Sequence, residues 1–520
     1  MRAVIAKLQP ALSHLLLIAA GGLTTLAFAP YTLWWLPLLS LALLVFLLQR
    51  ATTAKQAALS GFSFGLGWFG VGISWVHVSI DQFGGLPLAG SLGLMALLVS
   101  YLALFPALAS LLSYKLQRPA FTPLLFAACW TITEWLRSWV FTGFPWLSMG
   151  YSQTSHGLRD FAPLIGETGI SFLLVFSAAA LAQLFSQQRA ASRYSYAFIA
   201  GLLFVLSPQL VTFNGWQYSN KQLSVALVQG NIKQDLRWAP EQEWPTMLKY
   251  MDMTRPNFQA DLVIWPEAAI PRLEPAAQDF LDNLNRAALY QNTAVISGIL
   301  DYNSQTEQAW NNLIVLGKRY TDSTDGDYFY GHGNRYSKHH LLPIGEFVPL
   351  ESLLRKLAPI FDLPMSSFTR GAYVQPNLVA NSYHLLPAIC FEIAFPAQIA
   401  ANMTDATQLL LTVSNDAWFG DSIGPHQHLQ IAQMRALEFG RPVLRATNNG
   451  VTATIDASGN ISGTVPQFTE AVLKDELRLS TGTTPYSRFG DKPLWLICGL
   501  LLFLFSIIKW RSAKTAVNTI

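Results

Sequence analysis

Three reactive side chains of complementary chemistry each lie next to a short apolar run. The carboxylate Glu267 follows the run at 261–265, the thiol Cys390 follows the run at 385–389, and the ammonium Lys338 leads into a loop rich in Pro and Gly. A thiolate is a good nucleophile when a base and a positive charge are near it. A carboxylate can take the thiol proton, and an ammonium can stabilise the oxyanion of a tetrahedral intermediate. The set therefore predicts acyl transfer.

Taken singly, each of these residues also has an ordinary explanation. A free cysteine is often a small buried hydrophobe, a carboxylate at a strand end is often a solvated turn residue, and a lysine is often on the surface. Cys390 is the only cysteine between residues 220 and 488. The other two, Cys129 and Cys498, lie in apolar stretches outside this range. No disulfide framework, metal site or cofactor is expected, since the chain has no CxxC and His339-His340 are adjacent rather than at i, i+4.

The composition is that of a membrane protein. Of the 520 residues, 51% are hydrophobic and only 12% are charged, whereas soluble domains carry about 25% charged residues. The net charge is +3 and there is no long basic run, which argues against nucleic-acid binding.

Apolar segments of membrane-spanning length divide the chain into three parts. A span needs about 20 apolar residues, and its backbone must be helical. We predict a bundle of about seven helices over 1–213, a domain of soluble composition over 214–488, and a last helix with its tail over 489–520. The eight predicted spans are 11–29, 33–49, 57–80, 88–114, 120–141, 161–187, 194–213 and 492–509.

The positions of Lys and Arg predict the orientation of these spans. Alternate loops carry basic residues, although Arg137 and Arg159 flank a loop that should be poor in them. The positive-inside rule then places both termini in the cytoplasm and residues 214–490 on the outer face, which is the periplasm in a bacterium. Within the fifth span, Glu134 and Arg137 are at i, i+3, and they form either a structural pair or part of a substrate path.

The domain at 214–488 alternates between apolar β runs and helical stretches. The predicted strands are 222–229, 261–265, 294–300, 385–389, 408–414 and 451–455, and the predicted helices are 241–258, 275–291, 393–403 and 426–439. This alternation predicts an α/β fold whose sheets are covered by helices.

The motifs resemble those of a known family. WPEAAIP (265–271), YSKHHLLPIGEFVP (336–349) and ICFE (389–392) are similar to the carbon–nitrogen hydrolase, or nitrilase, superfamily. With VALVQGNI (225–232), SNDAWFG (414–420) and RATNNGVTA (445–453), nearly the whole chain resembles the apolipoprotein N-acyltransferase family. The resemblance implies a four-layer α-β-β-α sandwich joined to a membrane-helix bundle.

The resemblance also implies roles for individual residues. Cys390 matches the family nucleophile, Glu267 the general base and Lys338 the oxyanion-stabilising lysine. The residues that match supporting or substrate-binding positions are Glu346, Phe391, Glu392, Trp238 and Glu438. Phe391 stands where tyrosine is also expected, so the resemblance implies no hydroxyl contact at this position. The alternative interpretation of Trp238 is a packing aromatic.

The implied reaction is a ping-pong transfer at the bacterial inner membrane. A phospholipid would acylate Cys390, and the N-terminal amine of diacylglyceryl-cysteine on an apolipoprotein would then take the acyl chain, with no cofactor and with a monomeric enzyme. Residues 353–368 are either a lid over this site or a packed surface loop, and Trp418-Phe419-Gly420 is a candidate rim.

Two other functions remain open on sequence grounds. The same three residues would serve a membrane-tethered nitrilase-type amidase that transfers its acyl group to water. A transporter or scaffold whose outer domain only binds is the third hypothesis, and it would predict a missing triad member or more ionisable residues inside the spans.

Overall fold

The computed structural model divides the chain into two compact units. The helical unit comprises Met1–Asn214 and Phe489–Ile520, and the sandwich unit comprises Gly215–Arg488. The structure describes residues 2–83, 87–185, 190–209, 214–324, 326–343, 345–347 and 368–517.

Apolar helices make up most of the helical unit. Its helices are α1 Arg2–Thr24, α2 Leu36–Leu48, α3 Ala54–Gly72, α4 Val76–Val78, α5 Leu88–Leu116, α6 Thr122–Arg137, α7 Ala162–Gln183, α8 Ala190–Leu206 and, near the end of the chain, α14 Lys492–Val517. Each of the eight predicted spans overlaps at least one of these helices.

Three of the described helical segments are long and apolar enough to cross a membrane, namely Leu88–Leu116, Arg159–Gln183 and Lys492–Arg511. The bent pair Ala54–Gly72 and Val76–Gln82 makes a fourth if it is a single broken span. Three shorter apolar helices lie at Ala11–Ala27, Leu36–Leu48 and Tyr194–Gln209. The prediction of several apolar helices in this unit is therefore confirmed. Fewer of the described helices are long enough to cross a membrane than the eight that were predicted.

The charged pair predicted in the fifth span is buried and holds a loop. Arg137 Nη2 lies 3.5 Å from Glu134 Oε1, and both side chains are nearly inaccessible. Arg137 Nη1 also donates to the carbonyl oxygens of Phe144 and Trp146, each at 2.6 Å. Glu134 Oε1 accepts from the Met149 amide at 3.0 Å. These contacts fix the segment that follows α6, as the structural interpretation of the pair requires.

Two six-stranded sheets form the centre of the sandwich unit. The first has the order β12-β1-β2-β3-β4-β5 and the second β11-β10-β9-β8-β7-β6. The strands are β1 Trp216–Gln229, β2 Leu262–Ile264, β3 Ala294–Asn303, β4 Gln308–Gly317, β5 Arg335–Ser337, β6 Leu378–Ala380, β7 Tyr383–Ile389, β8 Leu409–Ser414, β9 Val443–Thr447, β10 Thr452–Ile455, β11 Ile461–Val465 and β12 Ala471–Gly482.

The alternation of side chains along the strands builds two apolar layers. Successive side chains of a strand point to opposite faces, so β2 places Leu262 and Ile264 on one face and Val263 on the other. Leu262 and Ile264 join side chains of the second sheet, such as Ile389 and Leu411, in one core between the sheets. Val263 belongs to a separate core that includes residues of the covering helices.

The helices of this unit complete a four-layer arrangement. Pro240–Thr254 (α9) and Gln278–Tyr290 (α10) cover the first sheet, and Gly424–Phe439 (α12) packs against the second. Pro396–Asn402 (α11) and Pro485–Phe489 (α13) are short. The predicted α-β-β-α sandwich is confirmed, and every predicted strand and helix overlaps an observed one.

Gly298 in β3 allows the segment after β2 to lie close to the sheet. A methyl group at this position would lie 2.7 Å from Glu267 Cα and would also meet the backbone nitrogen of Ala268. Because backbone atoms cannot turn aside as a side-chain end can, the Glu267 segment would have to move.

We expect Gly298→Ala to displace Glu267 and to lower catalytic activity at least tenfold. Overpacking of this kind costs about 1–3 kcal/mol, so the thermal unfolding temperature should also fall. The matched control is Gly333→Ala, whose methyl group would meet no described atom within 4 Å. Equal activity of the two variants would contradict the proposed steric constraint.

Candidate active site

The three predicted catalytic residues lie just beyond the carboxyl ends of strands. Glu267 follows β2, Lys338 follows β5 and Cys390 follows β7. Strand β2 is parallel to β3, and β5 runs in the same direction because both β3 and β5 are antiparallel to β4. The ends of β2 and β5 therefore lie at one edge of the first sheet, which is where such folds place their sites.

Lys338 lies between two carboxylates. Its Nζ is 3.3 Å from Glu267 Oε1 and 2.7 Å from Glu346 Oε1, and its side chain is only 1% exposed. Burial lowers the pKa of Lys338, but the charges of Glu267 and Glu346 outweigh it and hold the pKa well above its usual value. The ammonium therefore remains charged at neutral pH, as an oxyanion-stabilising group must.

Amide groups fix the position of Glu267. Asn311 Nδ2 donates to Glu267 Oε1 at 2.8 Å, and the Asn415 backbone amide donates to Glu267 Oε2 at 3.0 Å. Burial raises the pKa of Glu267, but Lys338, Arg237 and these donors outweigh burial and hold the pKa below its usual value. Glu267 is thus a carboxylate in the resting site, ready to accept a proton.

Arg237 anchors the backbone on which Glu267 is carried. Its Nη2 donates to the carbonyl oxygens of both Glu267 and Ala268, at 2.6 Å in the case of Ala268. Ala268 has a φ of 42°, in the left-handed region that side-chain-bearing residues seldom occupy. The guanidinium therefore stabilises a strained turn immediately after the predicted base.

Cys390 also occupies a strained position. Its φ is 55°, at the point where β7 ends and the 3-10 turn Cys390–Ala394 begins, and it is a partly exposed free cysteine. Burial and the charge of Glu267 raise its pKa, while Lys338 and a hydrogen bond with Ser414 oppose the rise. At rest the sulfur is a neutral thiol, so it needs a base to become a nucleophile.

Glu392 joins the lysine segment to the cysteine turn. Its Oε1 accepts from the backbone amides of His339 and His340 at 2.8 and 3.0 Å, and its Oε2 accepts from the Ile389 amide at 2.8 Å. The Tyr336 hydroxyl lies 3.0 Å from both carboxylate oxygens. One buried carboxylate therefore sets the positions of both segments.

The remaining predicted residues have different surroundings. Phe391 is buried and meets Phe395 edge to face, with ring centroids 5.0 Å apart. Trp238 is 42% exposed, next to the guanidinium of Arg237.

Glu438 pairs with Arg435 inside α12, with 2.9 Å between Oε2 and Nε. Among the described contacts, none joins Glu438 to Glu267, Lys338 or Cys390. In the predicted rim, Trp418 is 41% exposed. The predicted lid at 353–368 lies outside the described residues, apart from Phe368.

Several residues of the site had no assigned role at the sequence level. Asn415 and Asp416 are part of the quoted SNDAWFG motif, and Asn311 lies on β4, a strand that was not predicted. Arg237 directly precedes Trp238, which was a predicted site residue, and this position was the sequence feature that could have indicated a role for Arg237. Among the described residues, no group of three or more His, Cys, Asp or Glu side chains is arranged to hold a metal ion.

Comparison with known proteins defines the class of protein first. Residues 224–484 match the carbon-nitrogen hydrolase family model, and residues 20–180 match the model of the apolipoprotein N-acyltransferase N-terminal domain. The chain thus combines a nitrilase-type domain with an N-terminal domain of several apolar helices.

Relatives of nearly full length then give the particular family. The apolipoprotein N-acyltransferase of Shewanella oneidensis is 49% identical, over 96% of this chain and 97% of its own. That of Photobacterium profundum is 48% identical, over 96% of each chain. The chain belongs to the apolipoprotein N-acyltransferase family, and the predicted resemblance is confirmed.

We expect Glu392→Gln to lower the rate of catalysis about 10-fold to 100-fold. The amide would direct N–H groups at backbone amides that now donate to a carboxylate, and each buried donor left unpaired costs about 1–3 kcal/mol. The rate and the unfolding temperature should fall together. Glu476→Gln, at an exposed position of β12, is the control. Wild-type activity in Glu392→Gln would show that the carboxylate does not position the site.

Proposed function

We propose that this enzyme moves an acyl chain from a membrane phospholipid to the N-terminal amine of diacylglyceryl-cysteine on apolipoproteins. Its family relatives carry the name of this activity. The observation that supports the chemistry is the buried Lys338, held by Glu267 and Glu346 and electrostatically coupled to Cys390. In this proposal Cys390, Glu267 and Lys338 form the catalytic triad.

The first half-reaction would form a thioester. Glu267 takes the proton of the Cys390 thiol, and the sulfur attacks the carbonyl carbon of a phospholipid ester. The tetrahedral intermediate expels the glycerol oxygen, which takes the proton from Glu267 and departs as a lysophospholipid. The acyl chain stays on Cys390.

The second half-reaction would return the enzyme to its starting state. The amine of the diacylglyceryl-cysteine attacks the thioester and gives a proton to Glu267. The Cys390 sulfur leaves as a thiolate and takes that proton back, so that an amide and a free thiol result. Covalent catalysis divides one transfer between two bulky lipids into two encounters.

Lys338 would stabilise the negative oxygen in both half-reactions. An ammonium has three N–H donors, and among the described residues two of these directions are taken by Glu267 and Glu346. The third is available to a substrate oxygen. Because the two carboxylates already hold the ammonium in place, little reorganisation is needed when charge develops on the substrate.

The membrane would supply both substrates. Withdrawing an acyl chain from lipid costs roughly 0.8 kcal/mol per CH₂ group, so an enzyme that uses lipid substrates gains by residing in the bilayer. We propose that 1–213 and 489–520 are the membrane-embedded parts, that 214–488 is periplasmic, and that both termini are cytoplasmic. The apolar helices and the alternating Lys and Arg content of the loops support this topology.

A mass measurement of the intact protein tests the intermediate. After incubation with phospholipid alone, we expect the mass of one acyl chain on the wild-type protein, on the peptide that contains Cys390, removable by neutral hydroxylamine. Cys390→Ala should carry no such mass, whereas the control Cys129→Ala should carry it. An unmodified wild-type protein, or an adduct that survives in Cys390→Ala, would contradict the thioester.

A two-substrate assay separates transfer from hydrolysis. With labelled phospholipid and a diacylated lipopeptide, we expect N-acylated peptide in amounts close to the lysophospholipid released. Release of free fatty acid without acylated peptide would instead identify a nitrilase-type hydrolase. Unchanged lipoprotein acylation in cells that carry only Cys390→Ser would identify a binding protein.

A further inference from the structure

A second buried group of polar side chains adjoins Cys390 on the side of the second sheet. Strands β7 and β8 are parallel, with Ile389 opposite Val413. The next residue of each strand, Cys390 and Ser414, therefore stands at the same edge of the sheet. Ser414 is fully buried, and hydrogen bonding by its hydroxyl lowers the pKa of the Cys390 thiol, which burial otherwise raises.

The Ser414 hydroxyl is also held by a carboxylate. Its Oγ donates to Asp416 Oδ1 at 2.5 Å. The other carboxylate oxygen, Oδ2, accepts from Arg445 Nη2 at 2.6 Å. Burial raises the pKa of Asp416, but Arg445 and His428 outweigh burial and lower it to about 2. Asp416 is therefore an anion at neutral pH, and it attracts the hydroxyl hydrogen of Ser414.

His428 closes this group back onto the cysteine. Its Nδ1 lies 3.2 Å from Asp416 Oδ1, and its Nε2 lies 3.1 Å from the carbonyl oxygen of Cys390. The ring is fully buried on α12. Ser414 and His428 thus connect the same carboxylate to the sulfur and to the backbone of a single residue, which holds the strained cysteine turn from two sides.

The hydroxyl of Ser414 has one hydrogen and two acceptors that compete for it. While Cys390 is a thiol, the Ser414 hydroxyl can keep donating its hydrogen to Asp416, and the Ser414 oxygen can accept from S–H. Once the thiol has lost its proton, the sulfur is an anion and needs a donor. A turn about the Cβ–Oγ bond of Ser414 then brings its hydrogen to the sulfur.

We propose that Ser414 is a positioning residue whose hydroxyl donates to Asp416 when Cys390 is a thiol and to the sulfur when Cys390 is a thiolate. The inference rests on the proposed function in taking Cys390 as the nucleophile. No proton is gained or lost overall, because the thiol proton goes to Glu267 and the Ser414 O–H bond remains intact. Only the acceptor of the Ser414 hydrogen bond changes. Asp416 opposes the thiolate by its charge and by competing for the hydrogen.

Other charges also act on the sulfur, and a substitution that reports the hydroxyl alone must leave them unchanged. Those that face Cys390 from the neighbouring segments are Glu267, Lys338, Arg237 and Asp416, while Arg445 and His428 act on Asp416. Substitutions at Ser414 leave all six of these groups in place. A shift in the titration of Cys390 in such variants therefore reports the hydroxyl itself.

The test is the pH dependence of Cys390 alkylation in the full-length enzyme. A small haloacetamide reacts with the thiolate, and mass spectrometry of the Cys390 peptide separates this reaction from alkylation of Cys129 and Cys498. We expect Ser414→Ala to raise the midpoint of the pH profile by about one unit, which slows alkylation below the midpoint about tenfold. Ser414→Thr keeps a hydroxyl and should restore most of the rate.

Asp416→Asn should move the midpoint in the opposite direction. The amide neither competes for the Ser414 hydrogen as a charge does nor repels the thiolate, so the midpoint should fall. If Ser414 and Asp416 served only in folding, the midpoints of the two variants would shift in the same direction or would not shift. An unchanged or lowered midpoint in Ser414→Ala, in protein with a wild-type unfolding temperature, would overturn the inference.

The same measurement distinguishes this inference from the proposed function. Alkylation reports the sulfur whether or not acyl transfer occurs. The alkylation midpoints of the two variants could shift in opposite directions while the wild-type protein forms no phospholipid-dependent thioester. That result would support the role of Ser414 and contradict the reaction proposed above. Normal thioester formation with unchanged midpoints in both variants would overturn the role of Ser414 only.

Discussion

A buried ammonium held between two carboxylates is the interaction on which the site depends. Removing one partner of such a group leaves an uncompensated charge in the interior, at a cost of about 3–5 kcal/mol. Glu267 comes from a segment far from the one that carries both Lys338 and Glu346, so their attraction also fixes the relative positions of the two segments. Amide donors and the Arg237 clamp then leave Glu267 little freedom to reorient.

This arrangement sets the resting state of the proposed nucleophile, Cys390. The carboxylate and the ammonium are both charged, whereas burial and the charge of Glu267 keep the Cys390 thiol neutral by raising its pKa. In the proposed reaction, the sulfur becomes reactive when a proton moves to Glu267 and Lys338 stabilises the oxyanion that develops on the substrate. On the opposite side, Ser414 and Asp416 influence how readily the sulfur carries charge.

The sandwich would support the proposed chemistry by supplying rigid strand ends. Two apolar layers fill the space between the sheets and beneath the helices, so the ends of β2, β7 and β8 have little freedom to move. Strained backbone at Ala268 and Cys390 persists because the surrounding contacts determine it. The apolar helical unit accounts for the low charge of the whole chain and agrees with a family whose named activity concerns lipoproteins.

The sequence by itself determined the class of fold, the apolar helical segments and the identity of the three candidate catalytic residues. These features reside in local periodicity, composition and contiguous motifs. Strands β4, β5, β6, β9, β11 and β12 were not predicted. Strand β12 pairs with β1 from the other end of the domain, and β5 and β6 have only three residues each, too few for a periodic pattern. Only the tertiary structure decided that Glu392 ties the lysine segment to the cysteine turn and that Ser414 lies beside Cys390. Such contacts join residues far apart in the chain, and hydrogen bonds of this kind depend on ångström-scale positions that no local pattern records.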